Sequence, residues 1–153
     1  MTCIGLDPAY AKPIAYAYRV GRDWRVDAVA PGELSRFADV FQTAVEHGVT
    51  GCVIEGGFVG PNAKTSLGLQ YVRGQLLAYA EMAGIEVHVV HPKTWQAACL
   101  SQGGWMPQTH KEIAAQAIFR ARDICGLDLN EDMAVAVCLA DYGERTIQER
   151  VTI

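Results

Sequence analysis

Residues 2–7, TCIGLD, form a short apolar run that ends on a carboxylate and is followed at once by Pro8. A run of that length bounded by a breaker reads as a buried strand. Asp7 cannot rest inside a core, because an ionised carboxylate withdrawn from water is costly unless a cation meets it. It belongs at the rim of a sheet, or it simply begins an Asp-Pro turn. Residues 51–55, GCVIE, repeat the pattern and close on Glu55. Between the two runs, Ile14–Val20 and Trp24–Ala30 read as a hairpin turning at Gly21–Asp23. Leu34, Phe37, Ala38, Phe41, Ala44 and Val45 then fall at helical spacing, with Gly48 placed for a C-cap. A helix between strands is a crossover, and crossovers set strands parallel. With the first strand beside residues 51–55, Asp7 and Glu55 emerge together at the carboxyl edge, where open α/β sheets hold their sites.

The remainder of the chain continues the alternation. Gly56–Asn62, GGFVGPN, is a loop rich in breakers. Residues Ser66–Ala83 form a long helix with one apolar stripe through Leu69, Val72, Leu76, Tyr79 and Ala83, and a second through Leu67, Tyr71, Ala78 and Met82. A surface helix needs only one such stripe, so the second is a candidate subunit interface or is covered by a loop. Glu86–His91 is a strand stopped by Pro92, Lys93–Leu100 a short helix or turn, and Ser101–Pro107 irregular. Thr109 opens a helix with Glu112 in capping-box register. Asp128, with Glu131 three residues on, is expected to cap the last helix, whose segment Met133–Ala140 is apolar all round and therefore buried. Glu144–Ile153 is polar and reads as a tail.

A chain of 153 residues, half of them hydrophobic, fits one domain over residues 1–153 with a core that needs no disulfides. Its five cysteines lack metal-binding spacing and suit buried thiols in a reducing cytoplasm. With no secretory signal and no apolar run of membrane length, a soluble intracellular protein is expected. A net charge of -4 disfavours a nucleic-acid partner unless some of the acids are metal ligands. Lys64, Arg73, Lys93, Lys111, Arg120 and Arg122 offer a local basic stripe, or are solvated helix surface.

Asp128, Glu131 and Asp132 precede a segment that must be buried, so they approach the sheet. Acids there also suit the helix dipole without any further role. Together with Asp7 and Glu55 they make three or four carboxylates without His or Cys, a set that matches Mg²⁺ or Mn²⁺. Two such ions about 4 Å apart suit in-line displacement at phosphorus. For the fourth carboxylate the candidates are Asp128 and Glu131: residues four apart lie about 40° apart on a helix and adjacent ones about 100°, which favours Asp128 if the helix is entered through it, whereas Asp128 as a mere cap would leave the longer Glu131 side chain to bend back toward a metal.

The order of elements resembles the RNase H-like fold, an α/β mixed five-stranded sheet flanked by helices. Within it the chain is similar, as far as about Gly143, to the RuvC-type Holliday junction resolvases, particularly short bacteriophage members. Asp7 in IGLDP resembles the first family aspartate, Glu55 in VIEGGFVGPNAKTSLGLQYVRG the family glutamate, and Asp132 in DMAVAVCLA the final aspartate. Phe58, Asn62 and Arg73-Gly74 also fall in family register. Leu129 stands where the family has an acid or His, and Gln96, with Lys93 nearby, where it has a lysine. Lys111 resembles a second family lysine. The resemblance implies metal-dependent cutting of four-way DNA junctions by a homodimer, leaving 5'-phosphate ends, in the cytoplasm of a bacterial cell or phage-infected host. The expected catalytic and metal-binding residues are Asp7, Glu55, Asp128 and Asp132, with Mg²⁺ as cofactor. The expected DNA contacts are Phe58, Asn62, Lys64, Arg73, Lys93 and Lys111. Phe58 is either a core anchor or a ring that stacks on an unpaired base. His88, His91, Trp95 and Trp105 read as structural.

Other readings use the same residues. An RNase H-like nuclease acting on RNA or flapped DNA needs the same carboxylates. A junction-binding module without catalysis needs none of them. An actin-like ATPase also opens with a strand and an Asp, but it needs two such domains and Gly-rich phosphate loops, whereas Pro-Ala-Tyr follows Asp7 here.

Overall fold

Strands β1 (Thr2–Asp7), β2 (Ile14–Val20), β3 (Asp23–Val29), β4 (Val49–Glu55) and β5 (Glu86–Val90) form one sheet in the order β3-β2-β1-β4-β5. The computed structural model describes residues 1–57 and 63–147. β1 pairs antiparallel with β2 and parallel with β4, and β4 parallel with β5. The hairpin and the crossover read from the sequence are both present.

The crossover from β3 to β4 passes through a 3-10 turn and α1 (Phe37–Glu46). Leu6 pairs with Ile54 in the parallel ladder, so the next residues, Asp7 and Glu55, leave the sheet as neighbours on one face. Side chains alternate along a strand, and the core divides accordingly. Ile4, Leu6, Cys52 and Ile54 pack with α1 and with α2 (Ala63–Met82). Cys3 and Val53 pack on the opposite face with α5 (Glu131–Thr146), and this is the face to which the sequence spacing assigns Asp7 and Glu55.

α5 lies directly on β1. A Cβ on Gly5 would meet the Ala136 carbonyl oxygen at 2.1 Å, and one on Gly143 would meet Val53 at 2.5 Å. Only glycine lets the helix axis come this close, and Ala134–Ala140 are buried as their apolar run demands. This contact brings the first turn of α5 to the carboxyl edge of β1 and β4.

α5 differs from expectation at both of its ends. Asn130, not Asp128, caps α5, its Oδ1 accepting from the Met133 amide at 2.9 Å. Leu129 turns toward the core, so the chain enters the helix two residues later than an Asp128 cap requires. Residues 144–146, read as tail, are the last turn of α5. There the Glu144 side chain is nearly buried and ion-paired with Arg19.

α3 (Pro92–Leu100) and α4 (His110–Cys125) complete the layer beside α5. Thr109 caps α4 as expected, accepting from the Glu112 amide at 3.1 Å. His91 caps α3 through the Lys93 amide, a structural role. Trp105, read as packing, is instead half exposed on a tight turn. No helix among the described residues is long and apolar enough to cross a membrane.

Candidate active site

Asp7 from the end of β1, Glu55 from the end of β4, and Glu131 and Asp132 from the first turn of α5 line one cleft of about 150 Å³. Lys12, Trp95, Gln96 and His110 line it too. The three elements bearing the acids are far apart in sequence, and parallel register together with the Gly5 contact brings them to one place.

The electrostatics are those of crowded acids. Burial raises the Asp7 carboxyl well above the ordinary range, and the charges of Glu55 and Asp132 and a hydrogen bond shared with Asp132 raise it further, while Lys12 pulls it down. Burial also raises Glu55, against the hydrogen bond from Trp95 and the charges of Arg73 and His91. The Lys12 ammonium lies 2.8 Å from Asp132 Oδ1, and that hydrogen bond raises Lys12.

Glu55 is held from both faces of the sheet. On the α5 side the Trp95 indole N–H donates to Glu55 Oε2 at 2.8 Å, and Trp95 is only 1% exposed. On the α2 side Arg73 Nε donates to the Glu55 backbone carbonyl at 3.1 Å. A rigid indole with a single donor fixes one carboxylate oxygen. Trp95 is thus more than a packing residue, which its lone place in an apolar helix does not reveal. Lys12 was likewise missed. It rides on the turn after β1, where the Tyr10 ring packs over Gly68 closely enough that a Cβ there would sit 2.3 Å from it.

Asp128 stands apart from these groups. It precedes α5, its side chain is 79% exposed against 27% for Asp132, and it is ion-paired with Arg122. The acid of this segment that lines the cleft with Asp132 is Glu131, paired with His110 at 3.1 Å. Asp128 does not share a helical face with Asp132, because α5 begins at Glu131 and Asp128 precedes its cap.

The expected DNA contacts are dispersed. Lys64, Lys93 and Lys111 are exposed at the starts of α2, α3 and α4. Arg73 is turned inward at 9% exposure. Arg120 and Arg122, expected in a basic stripe, are paired with Asp123 and Asp128. Phe58 and Asn62 lie outside the described residues. Cys3, Cys52, Cys99 and Cys138 are buried free thiols, and burial pushes Cys99 up to about 11, so it stays protonated.

The donor set fits a hard divalent cation in kind: oxygen-only, multiply anionic and partly buried, with the raised Asp7 carboxyl marking charge that a cation would relieve. It does not have the spacing of a closed site. Among the described residues no three His, Cys, Asp or Glu side chains stand close enough together to hold an ion, and the Lys12 ammonium meets Asp132.

No protein-family model matches the chain. Among curated proteins it is similar to the crossover junction endodeoxyribonuclease RuvC of Solidesulfovibrio magneticus, 28% identical over 108 residues, which are 68% of this chain and 63% of that protein. The match therefore spans less than two thirds of that relative's length. Among solved structures, T. thermophilus RuvC in complex with a Holliday junction substrate superposes with a TM-score of 0.69 at 18% identity, covering 94% of this chain and 93% of the other. Another Thermus thermophilus RuvC structure gives 0.65 at 18% identity, over 95% and 96%. The yeast mitochondrial Holliday junction resolvase Ydc2 gives 0.52 at 16%, over 94% and 78%. The RNase H-like α/β fold expected from the sequence is therefore present, and the resemblance to RuvC-type resolvases holds in both sequence and fold.

Proposed function

We propose that this protein is a divalent-metal-dependent endonuclease that resolves four-way DNA junctions by paired symmetric nicks. The observation that carries the reading is the convergence of Asp7, Glu55 and Asp132 from β1, β4 and α5 on one cleft. The relatives whose names specify crossover junctions and Holliday junctions support the substrate.

Bound by Asp7, Glu55 and Asp132, with Glu131 beside them, Mg²⁺ or Mn²⁺ would supply an activated water and neutralise charge building at phosphorus. The residues do the rest. Trp95 and Arg73 hold Glu55 so that one carboxylate oxygen is fixed and the other, without a hydrogen-bond partner among the described residues, is available to the cleft. Burial beneath α5 keeps Asp7 from drifting into solvent. Lys64, Lys93 and Lys111, exposed at three helix starts, are candidate phosphate contacts along the strands leading away from the cleft. Phe58 is proposed to stack at the branch point and Asn62 to contact DNA, on the resemblance alone.

Paired nicks require two cleavage sites, and we infer a two-fold homodimer. The second stripe of α2 supports it, with Leu67, Tyr71 and Met82 exposed at 72%, 65% and 82%, because closed two-fold pairing of one apolar patch is the commonest oligomer. Buried free thiols suit a cytoplasmic location in a bacterial cell or phage-infected host.

The test is to incubate a labelled, mobile-free four-way junction with the protein in Mg²⁺ and in chelator. Ligatable duplex products from nicks at symmetric positions, formed only with metal, are expected. Uncut junction in Mg²⁺ and in Mn²⁺ would refute the reading. A monomer in sedimentation, with and without junction DNA, would refute the dimer.

A further inference from the structure

Lys12 is a cation standing among acids. Its ammonium reaches Asp132 Oδ1 at 2.8 Å, and within the cleft the other cationic candidate, His110, is engaged by Glu131. The turn that carries Lys12 is pinned on both sides: Pro8 and Pro13 restrict its backbone, and Tyr10 rests on Gly68 of α2. The Lys12 side chain itself is 59% exposed, so the point of attachment is fixed while the charged end is free to swing. An exposed ion pair of this kind is weak, and a divalent cation competing for Asp132 readily overcomes it.

We propose that Lys12 is a two-position cation of the cleft: the counter-ion of Asp132 in the free protein, and a contact to a non-bridging oxygen of the scissile phosphodiester once a divalent ion holds that carboxylate. Resting on the nuclease reading, this adds a substrate-contacting residue to it. A phosphodiester entering a cleft lined by Asp7, Glu55, Glu131 and Asp132 meets strong repulsion. A lysine offers a compact charge on a flexible stem, able to leave one anion for another without backbone movement. The two positions have opposite consequences when the charge is removed. Loss of the counter-ion frees Asp132 and strengthens metal binding. Loss of the phosphate contact slows cutting.

The experiment compares wild type, Lys12→Met and Lys12→Arg in two measurements. Mn²⁺ binding to the DNA-free protein is followed by electron paramagnetic resonance of the unbound ion. Single-turnover cutting of a four-way junction is measured at saturating Mn²⁺. Lys12→Met is expected to bind Mn²⁺ about two- to fivefold tighter, the factor that an exposed ion pair allows, and still to cut at least about tenfold more slowly, as expected for a lost donor to developing charge. Lys12→Arg should recover most of the cutting. Unchanged or weaker Mn²⁺ binding by Lys12→Met overturns the counter-ion position, and wild-type cutting by it overturns the phosphate contact. A wild-type protein that cuts no junction refutes the nuclease reading and the phosphate contact that rests on it, while the Mn²⁺ measurement still decides the counter-ion position by itself.

Discussion

Asp7 and Glu55 end strands, whereas Glu131 and Asp132 open a helix, and the two pairs of acids reach the sheet edge under different constraints. The strand-borne pair is set by backbone register: once Leu6 lies opposite Ile54, no rotation or slip separates the residues that follow without unpairing the ladder. The helix-borne set depends on where the helix begins, and a shift of two residues exchanges Asp128 for Glu131 at the cleft. Glu55 has a buried indole and a buried guanidinium holding it, while Asp132 has one exposed lysine and the hydrogen bond it shares with Asp7, another acid. The strands therefore supply a rigid half of the site, and the helix start supplies an adjustable half.

The largest expected effects come from removing charge in either half. Asp7→Asn, Glu55→Gln and Asp132→Asn should each reduce Mg²⁺-dependent junction cutting by at least about three orders of magnitude, since several kcal/mol of charge stabilisation are lost at about 1.4 kcal/mol per decade. Junction binding in a gel-shift assay should persist, because the substitutions remove negative charge from a surface facing phosphates. Cutting at the wild-type rate by any one of them would take that residue out of the site.

A smaller effect separates rigid from adjustable. Trp95→Phe keeps most of the packing and deletes the donor to Glu55. It should lower kcat about 10- to 100-fold and raise the Mg²⁺ requirement, the range typical for residues that orient metal-binding groups. The substitution should add little to Glu55→Gln in a double-mutant cycle. Equal losses in both backgrounds would make Trp95 a packing residue only.

Within the adjustable half, Glu131→Gln should raise the Mg²⁺ concentration for half-maximal cutting a few-fold, and Asp128→Asn should leave it unchanged. The reverse result would restore Asp128 to the site and mean that the helix start rearranges on metal binding.

The smallest effect is on stability, and its sign is informative. Asp7 has its carboxyl raised in the fold by burial and by neighbouring acids, so the folded state holds a proton that the unfolded chain releases. Its contribution is full at low pH and is lost as pH rises from the ordinary carboxylate range through the raised value. Metal-free Asp7→Asn should accordingly melt above wild type at neutral pH, with the gap closing on acidification and on adding Mg²⁺ to wild type. Calorimetry at several pH values checks this.

The same contrast separates what is legible in the sequence from what is not. Runs such as TCIGLD and GCVIE announce their own ends, so Asp7 and Glu55 were legible. The apolar stretch 133–140 announced a buried helix, which Gly5 and Gly143 then bring close to the sheet. The segment Leu127–Asp132 contains two acceptable caps, Asp128 with Glu131 and Asn130 with Met133, and local chemistry does not rank them. The packing of half-buried Leu129 against the core decides, and that is a tertiary fact. Lys12 and Trp95 were illegible for the same reason: their roles arise from packing between Tyr10 and Gly68 and from the docking of α3 beneath Glu55, neither of which leaves a periodic trace. The stripe Leu67, Tyr71 and Met82 was legible as surplus and is exposed, and Tyr71→Glu or Met82→Glu should split a dimer built on it.

The most direct test offers four substrates of equal length to one enzyme preparation: a four-way junction, a flap, plain duplex and an RNA–DNA hybrid, each in Mg²⁺ and in chelator, with Glu55→Gln alongside. Rapid, metal-dependent cutting of the junction is expected, with the other three cut slowly or not at all and the Glu55→Gln protein inactive on every substrate. Preferred cutting of the hybrid or the flap would contradict the junction assignment, and junction cutting that survives in the chelator or in Glu55→Gln would contradict the site itself.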